Sequence, residues 1–389
     1  MRGKAVKKQK AVYAASLDPI TNGHVNIIER MAPLYDELVV VVAVDPKKTY
    51  TFNIEERVNM ARVATKHIPN SSVDVCVGQY TIKFAESINA CVIIRGLRNI
   101  KDLDEEFALA EENRKICPSI ETIWVPCLPS LMYVSSSMVK GHVGVDPDWE
   151  KQVARSVPTI VVEKLKEKFT LNKARKHWVE LMVELGNPKA SWKIFDSLVK
   201  RYSEPHRTYH ILNHIVDMLE ELEEVKGQIT NLVAIKLAIW FHDSIYEPES
   251  KNHSVIASNE ARSSYRAELD MKELGLPSDQ IRLVCGDCHK TGLIMMTSHV
   301  LPVCDYDAQL LVDIDLSILG KSKTEFDLYE VNIRKEYNFV PEKTFRSKRS
   351  KLLKSFLDRR SIYLTSYFRG KYESDARKNL KRSIKQLSK

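Results

Sequence analysis

The chain has 389 residues, 44% hydrophobic and 28% charged, with a formal net charge of +8. These are ordinary proportions for a soluble globular protein, and the length suits two domains with separate cores. No apolar run reaches the roughly 18 residues needed to span a bilayer, which excludes a membrane-spanning helix.

In chain order, residues 1–10 (MRGKAVKKQK) carry charge with no apolar segment behind them. They read as a basic arm, not a secretory signal. Seven cysteines lack a disulfide-like pattern, so a reducing cytoplasm is expected. Ala11–Ser16 reads as a short apolar strand, and Asn22–Met31 follows with helical periodicity. Leu38–Val44 is an unbroken apolar run, as expected of a strand buried on both faces of a parallel sheet. Glu55–Lys66 reads as a helix, and Ala90–Ile94 and Thr122–Val125 as further strands. This alternation predicts a doubly wound, Rossmann-like α/β domain over residues 11–168 with a parallel sheet. Ligands in such folds sit at the carboxyl ends of strands. From about Asn172 helical periodicity dominates. The polar stretch holding residues 169–176 reads as a linker, and residues 177–389 as an all-α domain. The end of the chain, from Pro341, is rich in Lys and Arg, opposed only by Glu342, Asp358, Glu373 and Asp375. No aromatic stacking run or base-reading motif accompanies that charge. A solvated basic face is therefore preferred to nucleic-acid binding.

Four groups in the first half lie where strands end or helices begin. Ala14–His24 (AASLDPITNGH) follows a strand and opens a helix, whose N-terminus offers free N–H groups to phosphate. Asp45-Pro46-Lys47-Lys48 follows the second strand. Arg95-Gly96-Leu97-Arg98 follows a later one, with Glu106 downstream. Ser135-Ser136-Ser137 leads into a helix with Lys140 one turn on. Together they supply cations, hydroxyls and backbone donors for a nucleoside triphosphate.

The motifs DPITNGH, IRGLR and SSSMVK resemble those of bacterial phosphopantetheine adenylyltransferase across roughly Ala11 to Phe169. The resemblance implies transfer of adenylate from ATP to 4′-phosphopantetheine, with Mg2+ accompanying the triphosphate. By position it makes His24 the group that steadies the α-phosphate. It assigns Ser16, Leu17, Gly96, Leu97, Arg98, Glu106, Ser135, Ser136 and Ser137 to ATP, and Ser16, Lys48, Thr81 and Arg95 to the acceptor. The chain departs from the family at Ala15-Ser16-Leu17, where Gly-Thr-Phe is usual. It also departs in a shorter segment before the serines and at Tyr80-Thr81-Ile82. The nearest alternative is a nicotinamide mononucleotide adenylyltransferase. Thr21 stands where that family has histidine.

In the second half, His210 and His214 are four residues apart, followed by Phe241-His242-Asp243 and by Asp313-Ile314-Asp315-Leu316-Ser317. Histidines and carboxylates gathered from several helices are a common way to hold a divalent metal. The segments SEPHRTYH, AIWFHDSIYEP, DIDLSILG, IRKEY and ARKNL, between Trp178 and Leu387, resemble the HD superfamily, within it a group of predicted metal-dependent phosphohydrolases. The resemblance implies His214, His242, Asp243 and Asp315 as ligands of Mn, Fe, Zn, Ni or Mg. It makes His210 a proton donor to the leaving oxygen. Asp315 is preferred to Asp313 because Asp-Leu-Ser resembles the metal aspartate of cyclic-nucleotide phosphodiesterases. Where the family has Asn-Glu, this chain has Asn252-His253, with Asn259-Glu260 as a second candidate. The alternative is an HD domain that only binds or senses nucleotide. Cys285-Gly286-Asp287-Cys288-His289 matches the c-type haem attachment pattern, and Cys285, Cys288 and Cys304 offer a zinc reading. Ordinary half-buried cysteines are preferred to both. The whole predicts a bifunctional enzyme acting on small molecules, itself a homo-oligomer, with neither nucleic acid nor membrane as partner.

Overall fold

The structure is a computed structural model, and it describes residues 9–146, 148–186, 192–248, 258–287 and 291–388. The chain forms two compact units, Met1–Phe169 and Thr170–Lys389.

The first unit is built on five parallel strands: β1 Lys10–Ala15, β2 Glu37–Ala43, β3 Ser71–Cys76, β4 Val92–Leu97 and β5 Glu121–Pro126, in the order β3-β2-β1-β4-β5. The sequence of β2, ELVVVVA, shows why the sheet is covered on both sides. Leu38, Val40 and Val42 enter one core with α1 (Asn22–Met31) and α2 (Ile54–Thr65). Val39 and Val41 enter another with α3 (Thr81–Ser87). Period-two alternation with both sides apolar is what a buried parallel strand requires. Register is set by Ala11 beside Leu38 and, on the other side, beside Val92. The strand order reverses between β1 and β4, and a crevice at the carboxyl ends of those two strands follows from that reversal. Strand β3, a sheet edge alternating exposed and half-buried residues, was not among the predicted strands. Lys10, read as the end of the basic arm, is the first residue of β1 and pairs with Glu37 at 3.0 Å. The unit continues through α4 (Ile100–Ile116), α5 (Ser136–His142) and α6 (Trp149–Ala154).

Helix α7, Thr159–Glu184, contains the boundary between the units. The expected linker, residues 169–176, is therefore continuous helix: its polar side chains belong to a helical face, which has the composition of a linker but none of its turn residues.

The second unit comprises α8 Trp192–Arg201, α9 Leu212–Val225, α10 Leu232–Phe241, α11 Asn259–Glu273, α12 Ser278–Cys285, α13 Leu293–Met296, α14 Tyr306–Asp315, α15 Lys323–Glu336, α16 Glu342–Leu357 and α17 Ser366–Leu387. Its β structure, among the described residues, is one isolated bridge between Gly286 and Thr291. Helix α10 is its axis. Residues from Ala234 to Phe241 are all buried, apolar except for Lys236, which pairs with Glu184 at 2.7 Å. Trp240 packs edge-on against Trp178 and Phe195, with centroids 5.2 and 6.0 Å away. No helix among the described residues is long and apolar enough to cross a membrane.

Candidate nucleotide and metal sites

In the first unit, the loop after β1 is the hub. Asp18, 4% exposed, accepts the backbone N–H of Thr51 and Phe52 at 3.0 and 2.9 Å. Its Oδ2 also receives Lys140 Nζ at 2.9 Å. Ser136 Oγ donates to Pro19 O at 2.8 Å, and Ser135 caps α5 by accepting from Met138 N. The segments around 16–24, 51–53 and 135–140 are thus joined through buried charge-assisted bonds. Ser137 is exposed and Leu17 fully buried with a φ of 48°, so Leu17 can meet a ligand through its backbone alone.

Arg95 Nη1 donates to Ala14 O at 2.6 Å and forks onto Glu106 through Nε (2.8 Å) and Nη2 (2.5 Å). Three of its five N–H groups are engaged, two remaining for a phosphate. Arg98 is paired with Asp102, while Lys48 is exposed with no ion pair among the described residues. Thr81 opens α3 beside the Cys76 thiol. Gly96 packs closely on α1: a Cβ there would lie 2.4 Å from Ile27 Cδ1, so that side chain would have to turn away.

His24, on the first turn of α1, has its tautomer set by the backbone. Nδ1 accepts Thr21 N–H at 2.9 Å and lies 3.0 Å from Thr21 Oγ1. A main-chain N–H can only donate, so in the neutral ring the proton is on Nε2. Burial, then the charges of Arg98 and Arg95, push the His24 pKa down to about 4. A neutral imidazole with a fixed Nε2–H donor results.

In the second unit, His214 on α9, His242 and Asp243 just past α10, and Asp315 at the end of α14 converge. His214, His242 and Asp315 each offer an atom within 4.8 Å of the others. His214 Nε2 lies 3.2 Å from Asp315 Oδ1, and His242 Nε2 lies 3.1 Å from Asp243 Oδ2. Both Nε2 atoms are buried, yet neither has a hydrogen-bond partner. Their contacts with the carboxylates are close but misaligned. His242 Nδ1 donates to Ile239 O at 3.0 Å, leaving Nε2 as the lone-pair nitrogen of the neutral ring. Orphaned buried nitrogens facing two carboxylates suit a divalent cation, and the mixed N/O set fits Mn, Fe, Zn or Ni. Burial opposes charge on His242, but Asp243 and Asp315 overcome it and push its pKa up to about 9. Asp313, preferred less, is fully buried elsewhere: it accepts the N–H of Leu364 and Thr365 and the Thr365 hydroxyl, each at 2.7 Å.

His210 precedes α9, and its Nδ1 lies 2.7 Å from Glu336 Oε2. Oε1 of Glu336 accepts the N–H groups of Thr208, Tyr209 and His210 at 2.7–3.0 Å, and Tyr246 O–H donates to Oε2 at 3.1 Å. Burial works against charge on His210, and Asp243 and Glu336 outweigh it, raising its pKa. Burial opposes charge on Glu336 too, but His210 holds it down to about 2.

A cytidylyltransferase-like family model matches residues 12–142. The phosphopantetheine adenylyltransferase of Caldanaerobacter subterraneus subsp. tengcongensis is 42% identical over 159 residues, which are 41% of this chain and 96% of the relative. That of Carboxydothermus hydrogenoformans is 44% identical over the same length, covering 95% of the relative. Through its N-terminal unit the chain belongs to the phosphopantetheine adenylyltransferase family. That unit is a nucleotidyltransferase with a Rossmann-like parallel sheet. A solved nicotinic acid mononucleotide adenylyltransferase of Plasmodium falciparum, complexed with NaAD, is similar over 41% of this chain and 96% of that one. Its identity is 18% and its TM-score 0.33, too weak to carry an argument.

Several residues that build the two sites had no role in the sequence reading. In the adenylyltransferase unit, Asp18 lies inside the DPITNGH motif and could have been suspected. Arg57, buried and donating to Ser16 O at 2.8 Å, left no signal in a helix of mixed composition. In the second unit, Arg207 donates to the carbonyls of His210, Asp243 and Ser244, tying two ligand-bearing segments together. Arg207 and Glu336 sit in SEPHRTYH and IRKEY, so those motifs were noticed without their reason. His299 Nε2, 2.9 Å from Asp315 Oδ2, was missed altogether. Asn252, His253, Cys288 and His289 lie outside the described residues, and the haem and zinc readings with them.

Proposed function

We propose that the N-terminal unit joins ATP and 4′-phosphopantetheine to give dephospho-coenzyme A and pyrophosphate, and that the C-terminal unit is an HD-type metal-dependent phosphohydrolase. In the first reaction an acceptor phosphate oxygen bonds to the α-phosphorus as the bond from that phosphorus to the bridging oxygen of the leaving pyrophosphate breaks. The protein forms no covalent intermediate, so its task is positioning and charge stabilisation. The fixed Nε2–H of His24 carries this reading: a neutral donor meets charge growing on the α-phosphate without a proton changing hands. Arg98, Gly96, Leu97, Glu106 and the serines 135–137 serve ATP and its Mg2+. Lys48, Arg95, Thr81 and Ser16 serve the acceptor, with Glu106 also orienting Arg95.

For the second reaction the supporting observation is the pair of orphaned Nε2 atoms facing Asp243 and Asp315. When bound, a divalent cation supplies Lewis acidity toward water and phosphoryl oxygen. His214, His242, Asp243 and Asp315 hold it. His210, its Nδ1 tied to Glu336, offers Nε2 to protonate the leaving oxygen.

The test is pyrophosphate release from ATP with phosphopantetheine against nicotinamide mononucleotide, then metal analysis of the same sample. Transfer only to the mononucleotide overturns the acceptor. Metal retained by His242→Ala, or metal-free protein binding RNA or DNA in a salt-sensitive way, overturns the hydrolase.

A further inference from the structure

The loop between α16 and α17 is partly buried and bonded along its length. Arg377 donates to the carbonyls of Leu357, Arg359 and Arg360 at 2.9, 2.9 and 3.1 Å. Glu373, bonded to Arg377 Nε at 2.8 Å, accepts the N–H groups of Ile362 and Tyr363. Asp313, two residues before Asp315, accepts those of Leu364 and Thr365. The loop is thereby anchored to the end of α14.

One cation on this loop is bonded to a residue that neighbours the candidate metal site. Arg359 Nη2 donates to His299 O at 3.1 Å, and its Cζ lies 4.5 Å from the Phe356 ring centroid. The imidazole of that same His299 is 2.9 Å from Asp315 Oδ2. Arg349 and Arg377 each have a glutamate partner, but Arg359 has no carboxylate partner among the described residues. It is half-buried, and burial alone shifts its pKa, downward. A partly desolvated guanidinium without a counter-ion is costly unless an anion completes it. Four of its five N–H groups remain for that anion.

We propose that Arg359 binds the phosphoryl group of the substrate at the metal site, forking onto its non-bridging oxygens. The planar guanidinium matches that geometry, as an ammonium does not. The substrate class is then one with a terminal phosphate, whose bare oxygens both the cation and Arg359 can reach. This assignment rests on the metal reading of the second unit.

The experiment uses the full chain loaded with Co2+ and titrated with inorganic phosphate, read by the visible absorption of cobalt. That signal ignores phosphate bound in the first unit. Arg359→Gln should keep the cobalt stoichiometry and the phosphate-free spectrum while phosphate binds roughly 10- to 100-fold more weakly. Arg359→Lys should recover only part of the loss, and Arg360→Gln, on the exposed neighbour, should match wild type. Unchanged phosphate affinity in Arg359→Gln overturns the proposal. So does an altered phosphate-free spectrum, which would make Arg359 a support for His299. Wild-type protein that takes up no Co2+ overturns the metal reading itself, and the proposal with it.

Discussion

At Thr21 one main-chain N–H decides which nitrogen of the neutral His24 ring carries the proton. With the folded pKa near 4 and the unfolded value near 6.5, the unfolded chain binds more protons between those limits. The contribution of His24 to stability is thus complete above about pH 6.5 and is lost as pH falls through about 4. An NMR titration of the imidazole should show a midpoint near 4, and adenylyl transfer should show no His24 inflection between about pH 5 and 8. An inflection near 6.5 that vanishes in His24→Ala would contradict the locked tautomer. His24→Ala itself should lower kcat by about 10²- to 10³-fold, the usual cost of one donor aimed at transition-state charge. Glu336 is the corresponding residue in the second unit, a fully buried carboxylate gathering three N–H groups, a phenol and an imidazole. Its pKa is depressed from 4.5 to about 2, so its stabilisation is present above about pH 4.5 and lost as pH falls through 2. Glu336→Gln keeps the shape but turns an amide NH2 toward donors. It should cost roughly 3 kcal/mol in denaturant unfolding, with hydrolysis reduced as His210 loses its orientation.

Among the elements, the strand with one uniform physical demand was readable. Strand β2 must be apolar on both faces and is. Helix α10 was not read as an element, although its residues are apolar apart from Lys236. Trp240→Ala in that helix should cost about 3–5 kcal/mol by leaving a cavity against Trp178 and Phe195, as measured by urea unfolding of the full chain. Strand β3 was not readable, since an edge alternates and SSVDVC looks like a turn. The helical conformation of residues 169–176 was not foreseen, because a solvated helical face and a linker share a composition. The sites divide in the same way. His214, His242, Asp243 and Asp315 stand at or near helix ends, and they were singled out because the motifs that hold them resemble a known superfamily. Glu336 supports residues 126 to 128 positions earlier, and Arg359 reaches back 60 positions to His299. Nothing local in sequence marks such partnerships, because only the packed helices bring them together.

For the whole molecule, the two proposed chemistries fall on two units with separate cores. The residues around His24 come only from the first, and those around the four candidate ligands only from the second. Among the described residues, no side chain named at one site is named at the other. The two activities should therefore be lost separately. His24→Ala should abolish most adenylyl transfer while metal content and phosphate-ester hydrolysis stay at wild-type levels. His242→Ala should do the reverse, losing the metal and hydrolysis while pyrophosphate release continues. Both assays on both full-length variants decide the matter. If His242→Ala also slowed adenylyl transfer with its unit still folded by circular dichroism, the units would share an energetic coupling that the separate residue sets do not supply. Parallel loss with unfolding would instead show that α7, which runs through the boundary, transmits stability from one unit to the other.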